Sequence, residues 1–296
     1  MESSGTTSTT STLQGVWGSG PTDVYIAEAD VSGGALLHSV GDGVWVRQDQ
    51  GISTSVRCVW GSDASNVYAG GFGAIFHSTG DGAWTAQPAG DQSGVSAIWG
   101  SSATDVYAVG ASSLMHSIGD GVWAPQSGLS MVGSNDVWGS GANDVYVLGR
   151  TNNALGAPFI FHSSGDGNWA PESPGTDRGL LKMWGSGALD IYALGIVGTM
   201  VRSDGSTWTS QVTGLTDANG NCLAPACDLT AVWGSGPTDV YAVGQETILH
   251  SAGDGKWAPE GVGAGVDFLS VWGSGPDDVY AVGLASGIGD VIFHRH

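Results

Sequence analysis

The stretch Val16–Glu28, "VWGSGPTDVYIAE", decides how this chain is read, because it returns six more times. Its counterparts are "VWGSDASNVYAGG" from Val59, "IWGSSATDVYAVG" from Ile98, "VWGSGANDVYVLG" from Val137, "MWGSGALDIYALG" from Met183, "VWGSGPTDVYAVG" from Val232 and "VWGSGPDDVYAVG" from Val271. Successive copies start 39 to 49 residues apart. In each, a short run ending in Trp-Gly-Ser meets a turn of Gly, Pro, Asn or Asp. A second run, β-branched and aromatic, follows, which is the pattern of two antiparallel strands joined tightly.

Outward from that core lies a second recurring element. "LHSVGDGVW" ends at Trp45, "FHSTGDGAW" at Trp84, "MHSIGDGVW" at Trp123, "FHSSGDGNW" at Trp169, "VRSDGSTW" at Trp208 and "LHSAGDGKW" at Trp257. It reads as a third strand, a glycine turn and a fourth strand. Four short strands in a period near 40 are the signature of a β-propeller blade. The expected fold is therefore all-β, a single domain over 1–296 forming a seven-bladed β-propeller with four strands per blade and repeats starting near 13, 56, 95, 134, 180, 229 and 268. The last repeat stops at "DVIFHRH" without a hairpin tryptophan, so the 13 tryptophans divide as seven plus six. Its missing fourth strand is expected from the β-prone segment Thr6 to Thr12, which would join the two ends in one blade and remove unpaired edges.

With 51 glycines and 12% charged residues the chain is built of turns and strands, not helices. No apolar run reaches the ~18 residues of a membrane span, so no membrane insertion is expected. A formal net charge of −20, with Lys182 and Lys256 the only lysines, opposes phosphate backbones and argues against nucleic acid as a partner. Cys222 and Cys227 bracket "LAPA" and are near enough for a small disulfide, although two free thiols read equally; a disulfide would favour an oxidising compartment. Cys58 reads as a small buried side chain. The opening "MESSGTTSTTSTLQG" has neither a positive region nor an apolar run, so an exported form would have its leader absent from this chain.

The hairpin "SxGDGxW" resembles the Asp-box of bacterial sialidases and many non-enzymatic propellers, with blade five, "RSDGSTW", departing in turn length. The resemblance implies that the aspartate accepts hydrogen bonds from the turn backbone and that the tryptophan packs into the blade. The residues agree with it. A carboxylate among glycines can satisfy N–H groups that a tight turn leaves unpaired, and burying a tryptophan contributes at most about 4 to 5 kcal/mol. Asp42, Asp81, Asp120, Asp166 and Asp254 are thus expected to be structural turn residues. Calcium, which needs roughly six to eight oxygen ligands, is not served by one aspartate per turn.

The aspartates that open "DVY", with Asn66 replacing one of them, stand at a turn where an acceptor and not a charge is required. The tyrosines two residues on are expected to fill gaps between blades. His38, His77, His116, His162, His250 and His294 share one position, filled by Arg202 in blade five. Equivalent positions in different blades lie about 10 Å or more apart, too far for a shared metal, so no metal or cofactor is expected. These imidazoles suit a fixed hydrogen bond or a contact to a sugar hydroxyl. Two places before each first-strand tryptophan, Asp136 and Lys182 fall in neighbouring blades and are positioned to pair. The loops "GRTNNALGAPFIF" and "TGLTDANGNCLAPACDLT" break the symmetry in adjacent places, where specificity is commonly carried.

No enzymatic activity is expected: the six arginines are scattered over different positions, glutamate is scarce, and no carboxylate pair is singled out by spacing. Two readings remain. One is a multivalent, lectin-like propeller that holds glycans at repeated blade sites, with His38, Trp45, His77, Trp84, His116, Trp123, His162, Trp169, His250 and Trp257 as the contacting residues. The other is an extracellular protein-binding scaffold or assembly subunit with no sugar ligand. The combined repeat also resembles tandem-repeat secreted or surface propellers of myxobacteria. That resemblance implies an extracellular or cell-surface setting and fixes no ligand.

Overall fold

The computed structural model describes residues 2–5, 11–30, 33–88, 94–127, 129, 133–151, 157–224, 226–261 and 265–296. They form seven four-stranded antiparallel sheets arranged as the blades of one closed β-propeller. Six blades use four strands in chain order from the innermost outward; blade three, for example, runs Val95–Ser102, Asp105–Gly110, Leu114–Ser117 and Ala124–Pro125.

Blade seven is composite. Its first three strands are Val266–Gly275, Asp278–Ala285 and Gly289–Arg295, and its outermost strand is the N-terminal segment Glu2–Gly5. Glu2 stands opposite His294 and Gly5 opposite Val291. The ends therefore meet in one blade, but the closing strand comes earlier than the threonine-rich segment Thr6–Thr12. Ser11 and Thr12 already belong to the innermost strand of blade one, Ser11–Gly20, and residues 6–10 lie outside the described residues. Strand propensity in the Thr-rich run does not decide which terminal residues pair with the third strand; the register instead places Glu2–Gly5 against residues 291–294.

Each second strand, such as Asp105–Gly110, is buried almost throughout, because a neighbouring blade covers each face of its sheet. Seven apolar clusters fill the seven interfaces. One joins Tyr280, Val282 and Ile292 of blade seven to Leu13, Val16, Val24, Ile26 and Leu37 of blade one, so the seam is packed like the other interfaces. The Trp-Gly-Ser motif explains the fit. A Cβ built on Gly139 would sit 2.6 Å from the ring of Trp99 in the preceding blade, and one on Gly18 would sit 2.6 Å from Trp272. Tryptophan and glycine are thus two halves of one interblade joint, repeated around the ring.

Strand order gives the disc two different faces. The turn between first and second strands and the glycine turn between third and fourth strands lie on one, the hairpin face. The connections between second and third strands, and from one blade to the next, lie on the other, the connection face.

Candidate functional site

Every innermost strand carries two β-bulges, each adding a residue that its partner strand does not match. A bulge re-aims one side chain out of the ladder. The bulge near the hairpin face always holds the serine of Trp-Gly-Ser. In blade three Ser101 Oγ donates to Asp105 Oδ2 at 2.5 Å, while His116 Nε2 lies 2.7 Å from Asp105 Oδ1. A carboxylate only accepts, so Nε2 carries the proton. The same arrangement holds Ser19, Asp23 and His38 in blade one, and Ser235, Asp239 and His250 in blade six.

The imidazole also lies against the second-strand tyrosine, with ring centres 4.5 Å apart for Tyr107 and His116 and 4.3 Å for Tyr146 and His162. Burial first, then the charge of Asp105, pushes the Tyr107 hydroxyl up to about 12. Blade five makes the same cluster with arginine: Arg202 Nε donates to Asp190 Oδ1 at 2.6 Å and its guanidinium lies 5.3 Å from the Tyr192 ring centre. In blade two Asn66 Oδ1 faces His77 at 2.7 Å and Asn66 Nδ2 donates to Ser62 Oγ at 2.9 Å, so the amide performs both contacts without charge. Burial pushes the His77 imidazole down from its ordinary value.

Serine, aspartate and histidine in one cluster invite comparison with a hydrolytic triad, and the connectivity decides against it. Here aspartate is the central member and binds the other two. A nucleophile needs histidine in the middle, with its nitrogen on the serine oxygen. The clusters brace the blades.

The hairpin residues are likewise committed. Asp42, Asp81, Asp120, Asp166 and Asp254 each accept from the backbone N–H two residues on, at 2.9 to 3.1 Å. Trp84, Trp123 and Trp257 are 4%, 7% and 9% exposed, whereas Trp45 and Trp169 are half-buried. All five meet a tyrosine of the preceding blade edge-on, as Trp123 does Tyr68 at 5.9 Å. Trp123 Nε1 donates across the interface to Gln87 Oε1 at 2.9 Å, and Trp84 Nε1 to Gln48 Oε1 at 3.4 Å. The histidine side chains keep partial exposure, from 18% at His38 to 30% at His162 and His250. Each Nε2 edge points at the acceptor of its own blade, and among the described residues no three His, Cys, Asp or Glu converge as a metal set.

The bulge near the connection face behaves differently. It lies three places before the tryptophan and holds Gln14, Arg57, Ser96, Asn135, Leu181, Thr230 and Leu269 in blades one to seven. These residues, with Lys182, line a cavity of about 270 Å³ at the mouth of the central channel. Three of them stitch blades together: Ser96 Oγ donates to the Ser134 carbonyl at 3.1 Å, Asn135 Nδ2 to the Leu180 carbonyl at 2.8 Å, and Thr230 Oγ1 to the Phe268 carbonyl at 2.7 Å. Arg57 is exposed, its guanidinium 4.1 Å from the Phe72 ring centre.

Beside the mouth, Lys182 Nζ reaches Asp136 Oδ1 at 3.2 Å, and Met183 N donates to Asp136 Oδ2 at 2.8 Å. The pair crosses one blade interface. Burial pushes the Asp136 carboxyl up, against the opposing pull of Lys182. Serine does the same work at the seam, where Val16 N donates to Ser270 Oγ at 3.2 Å. The position two places before the tryptophan thus carries an interblade contact, as the placing of Asp136 and Lys182 in neighbouring blades predicts. The channel ring one place earlier was missed, although its signal was present: it is a variable column in an otherwise repetitive strand. Cys222 and Cys227 are joined as a disulfide in the connection from blade five to blade six.

No family model and no curated protein sequence matches the chain. Solved structures match it closely in shape. A structure of YCF48 bound to D1 peptide superposes with a TM-score of 0.70 at 14% identity, covering 100% of this chain and 96% of that one. A catalytically inactive variant of virginiamycin B lyase from Staphylococcus aureus with quinupristin gives 0.79 at 12%, covering 100% and 98%. The WD40 β-propeller domain of Doa1 gives 0.71 at 12%, covering 100% and 96%. At such identities the likeness shows the fold alone.

Proposed function

We propose that this chain is a binding protein rather than an enzyme, and that it takes a protein partner across its connection face, anchored at the channel mouth. The observation that carries this reading is the contrast between its two bulges: the serine bulge repeats without change, while the channel bulge presents cation, amide, hydroxyl and apolar groups from different blades. A mixed, asymmetric ring on a rigid scaffold suits recognition of a particular polypeptide. The solved propeller holding a D1 peptide lends support by analogy of shape only. An extracellular or cell-surface setting belongs to the same proposal, supported by the Cys222–Cys227 disulfide.

The experiment is retention of partners on immobilised protein, comparing the native chain with Arg57→Glu/Leu181→Asp/Leu269→Asp and with a hairpin-face control, Val40→Ser/Val44→Ser. The expected result is a defined partner retained by the native chain and the control and lost from the channel variant. Retention by the channel variant, or no retained protein at all, contradicts the proposal.

A second reading, glycan binding at repeated hairpin sites, has one observation in its favour. A cleft of about 350 Å³ opens between Glu172, Ser173, Ser206, Thr207 and Trp208, where blades four and five meet at the rim. Glycan-array binding with several sugars occupied per chain would favour it over the channel reading.

A further inference from the structure

On the connection face beside blade five lies a cavity of about 450 Å³, separate from the channel mouth and lined in part by Arg178, Val197, Thr199, Gln211, Thr216 and Asp217. Its volume falls within the roughly 300 to 1,000 Å³ of small-molecule sites. Three observations show that it is built. The connection that walls it is stapled by the Cys222–Cys227 disulfide and an antiparallel bridge between Thr216 and Cys222. Arg178 spans it, donating from one nitrogen to the Val197 carbonyl at 3.3 Å and from another to the Gly220 carbonyl at 2.8 Å. Val197 is held at φ 55°, a left-handed conformation hard for a β-branched side chain, by that arginine and by Asp228 Oδ1, which accepts from its N–H at 2.8 Å. Such strain costs on the order of 1–3 kcal/mol and gathers where a chain shapes a ligand site.

The lining chooses the ligand class. The Thr199 and Thr216 hydroxyls make no hydrogen bond among the described residues, so both can donate and accept. Asp217 is held below the usual carboxylate range by the N–H groups of Asn221 and Asn219, so it stays ionised as an acceptor. Arg178 and Asp217 are the two charged residues of the wall, so its formal charges cancel and it offers no net positive charge to a phosphate or carboxylate ligand; two of the Arg178 N–H groups are already given to carbonyls. The Val197 and Val212 methyls add an apolar patch. Paired hydroxyl donors and acceptors around an apolar patch, without net charge, match the hydroxyls and C–H face of a sugar ring. We propose that this cavity is a single binding site for a neutral mono- or disaccharide, formed only where the blade-five connection breaks the sevenfold pattern.

The test is titration of the whole protein with the methyl glycosides of glucose, galactose, mannose and N-acetylglucosamine at millimolar concentration, followed by saturation-transfer NMR and calorimetry. At least one glycoside is expected to saturate with a stoichiometry of one. Thr199→Val/Thr216→Val, which keeps shape and is checked for folding by thermal melting, is expected to weaken binding at least tenfold. Cys222→Ser/Cys227→Ser is expected to weaken it several-fold, since the loop must then be ordered on binding. No saturable glycoside, undiminished binding by the valine variant, or several sites per chain would overturn the proposal. Arg57→Glu should leave this titration unchanged, so its outcome and that of the protein-binding reading are separate.

Discussion

Two bulges on the same strand, a few residues apart, make the sharpest comparison in this molecule. The one at the hairpin face holds serine in all seven blades and feeds a closed cluster of aspartate or asparagine, histidine or arginine, and tyrosine. The one at the connection face holds Gln14, Arg57, Ser96, Asn135, Leu181, Thr230 and Leu269 and rings an open mouth. The backbone device is the same. What differs is the partner that the re-aimed side chain meets. At the hairpin face it is the same Asp or Asn side chain in every blade, and serine alone stands there; at the connection face Ser96, Asn135 and Thr230 meet backbone carbonyls, while the other four blades present Gln14, Arg57, Leu181 and Leu269. The hairpin face is uniform and closed; the connection face shares in holding the ring through Ser96, Asn135 and Thr230 and leaves Gln14, Arg57, Leu181 and Leu269 for the proposed recognition.

The comparison breaks most readily at the interblade joint. Gly139→Ala would place a Cβ 2.5 Å from the Asp144 carbonyl and 2.6 Å from the Trp99 ring. It is expected to cost about 3 kcal/mol or to prevent folding, read by denaturant unfolding. Next comes Lys182→Met, which strands the buried Asp136 beside an apolar chain and is expected to cost about 2 kcal/mol at neutral pH. The sign with pH follows from burial holding the folded Asp136 carboxyl above its ordinary value. Its contribution is fully present below the unfolded pKa and is lost as pH rises through the folded one. The variant's deficit should therefore shrink in acid, measured as the melting temperature of both proteins across pH.

The aspartate clusters sharpen the same contrast with smaller effects. Asp105→Ala leaves Ser101 and His116 without their shared acceptor and is expected to cost about 1–2 kcal/mol, whereas Asp105→Asn should cost only a few tenths, because Asn66 already fills that place in blade two. Smallest is Asn66→Asp. The folded His77 pKa lies below its ordinary value, so stability is present above the unfolded histidine pKa and lost as pH falls through the folded one. A carboxylate partner should raise the His77 pKa and flatten that loss, visible in the NMR titration of its ring protons.

The ring was legible in the sequence because its joints are made of residues that tolerate little else: Trp-Gly across each interface, glycine at positive φ in each glycine hairpin, and the start of each buried strand, Asp or Asn followed by a β-branched residue and tyrosine. Repetition multiplied those signals. The closing strand is Glu2–Gly5 and not the threonine-rich run, because no repeated motif marks those four residues in the sequence; their register against residues 291–294 shows only in the backbone pairing. The pairing of each third-strand histidine with the aspartate, or in blade two the asparagine, of its neighbouring strand is not legible either. Register across the second and third strands creates it, and neither residue is near the other in sequence. The channel ring escaped for the opposite reason to the joints. A bulge adds one residue to the alternation, so counting by twos from the tryptophan lands on the interblade position and skips the residue facing the channel.

Saturation substitution of Gln14, Arg57, Leu181 and Leu269, set beside the same library at Asp23, Asp105, Asp144 and Asp239, with survival under protease as the readout, tests the division of labour most directly. Nearly every residue is expected to be accepted at the four channel positions, with stability changes within about 0.5 kcal/mol, and little besides asparagine at the four aspartates. Channel positions as restrictive as the aspartates would mean that the open ring is also part of the frame, and would contradict the division.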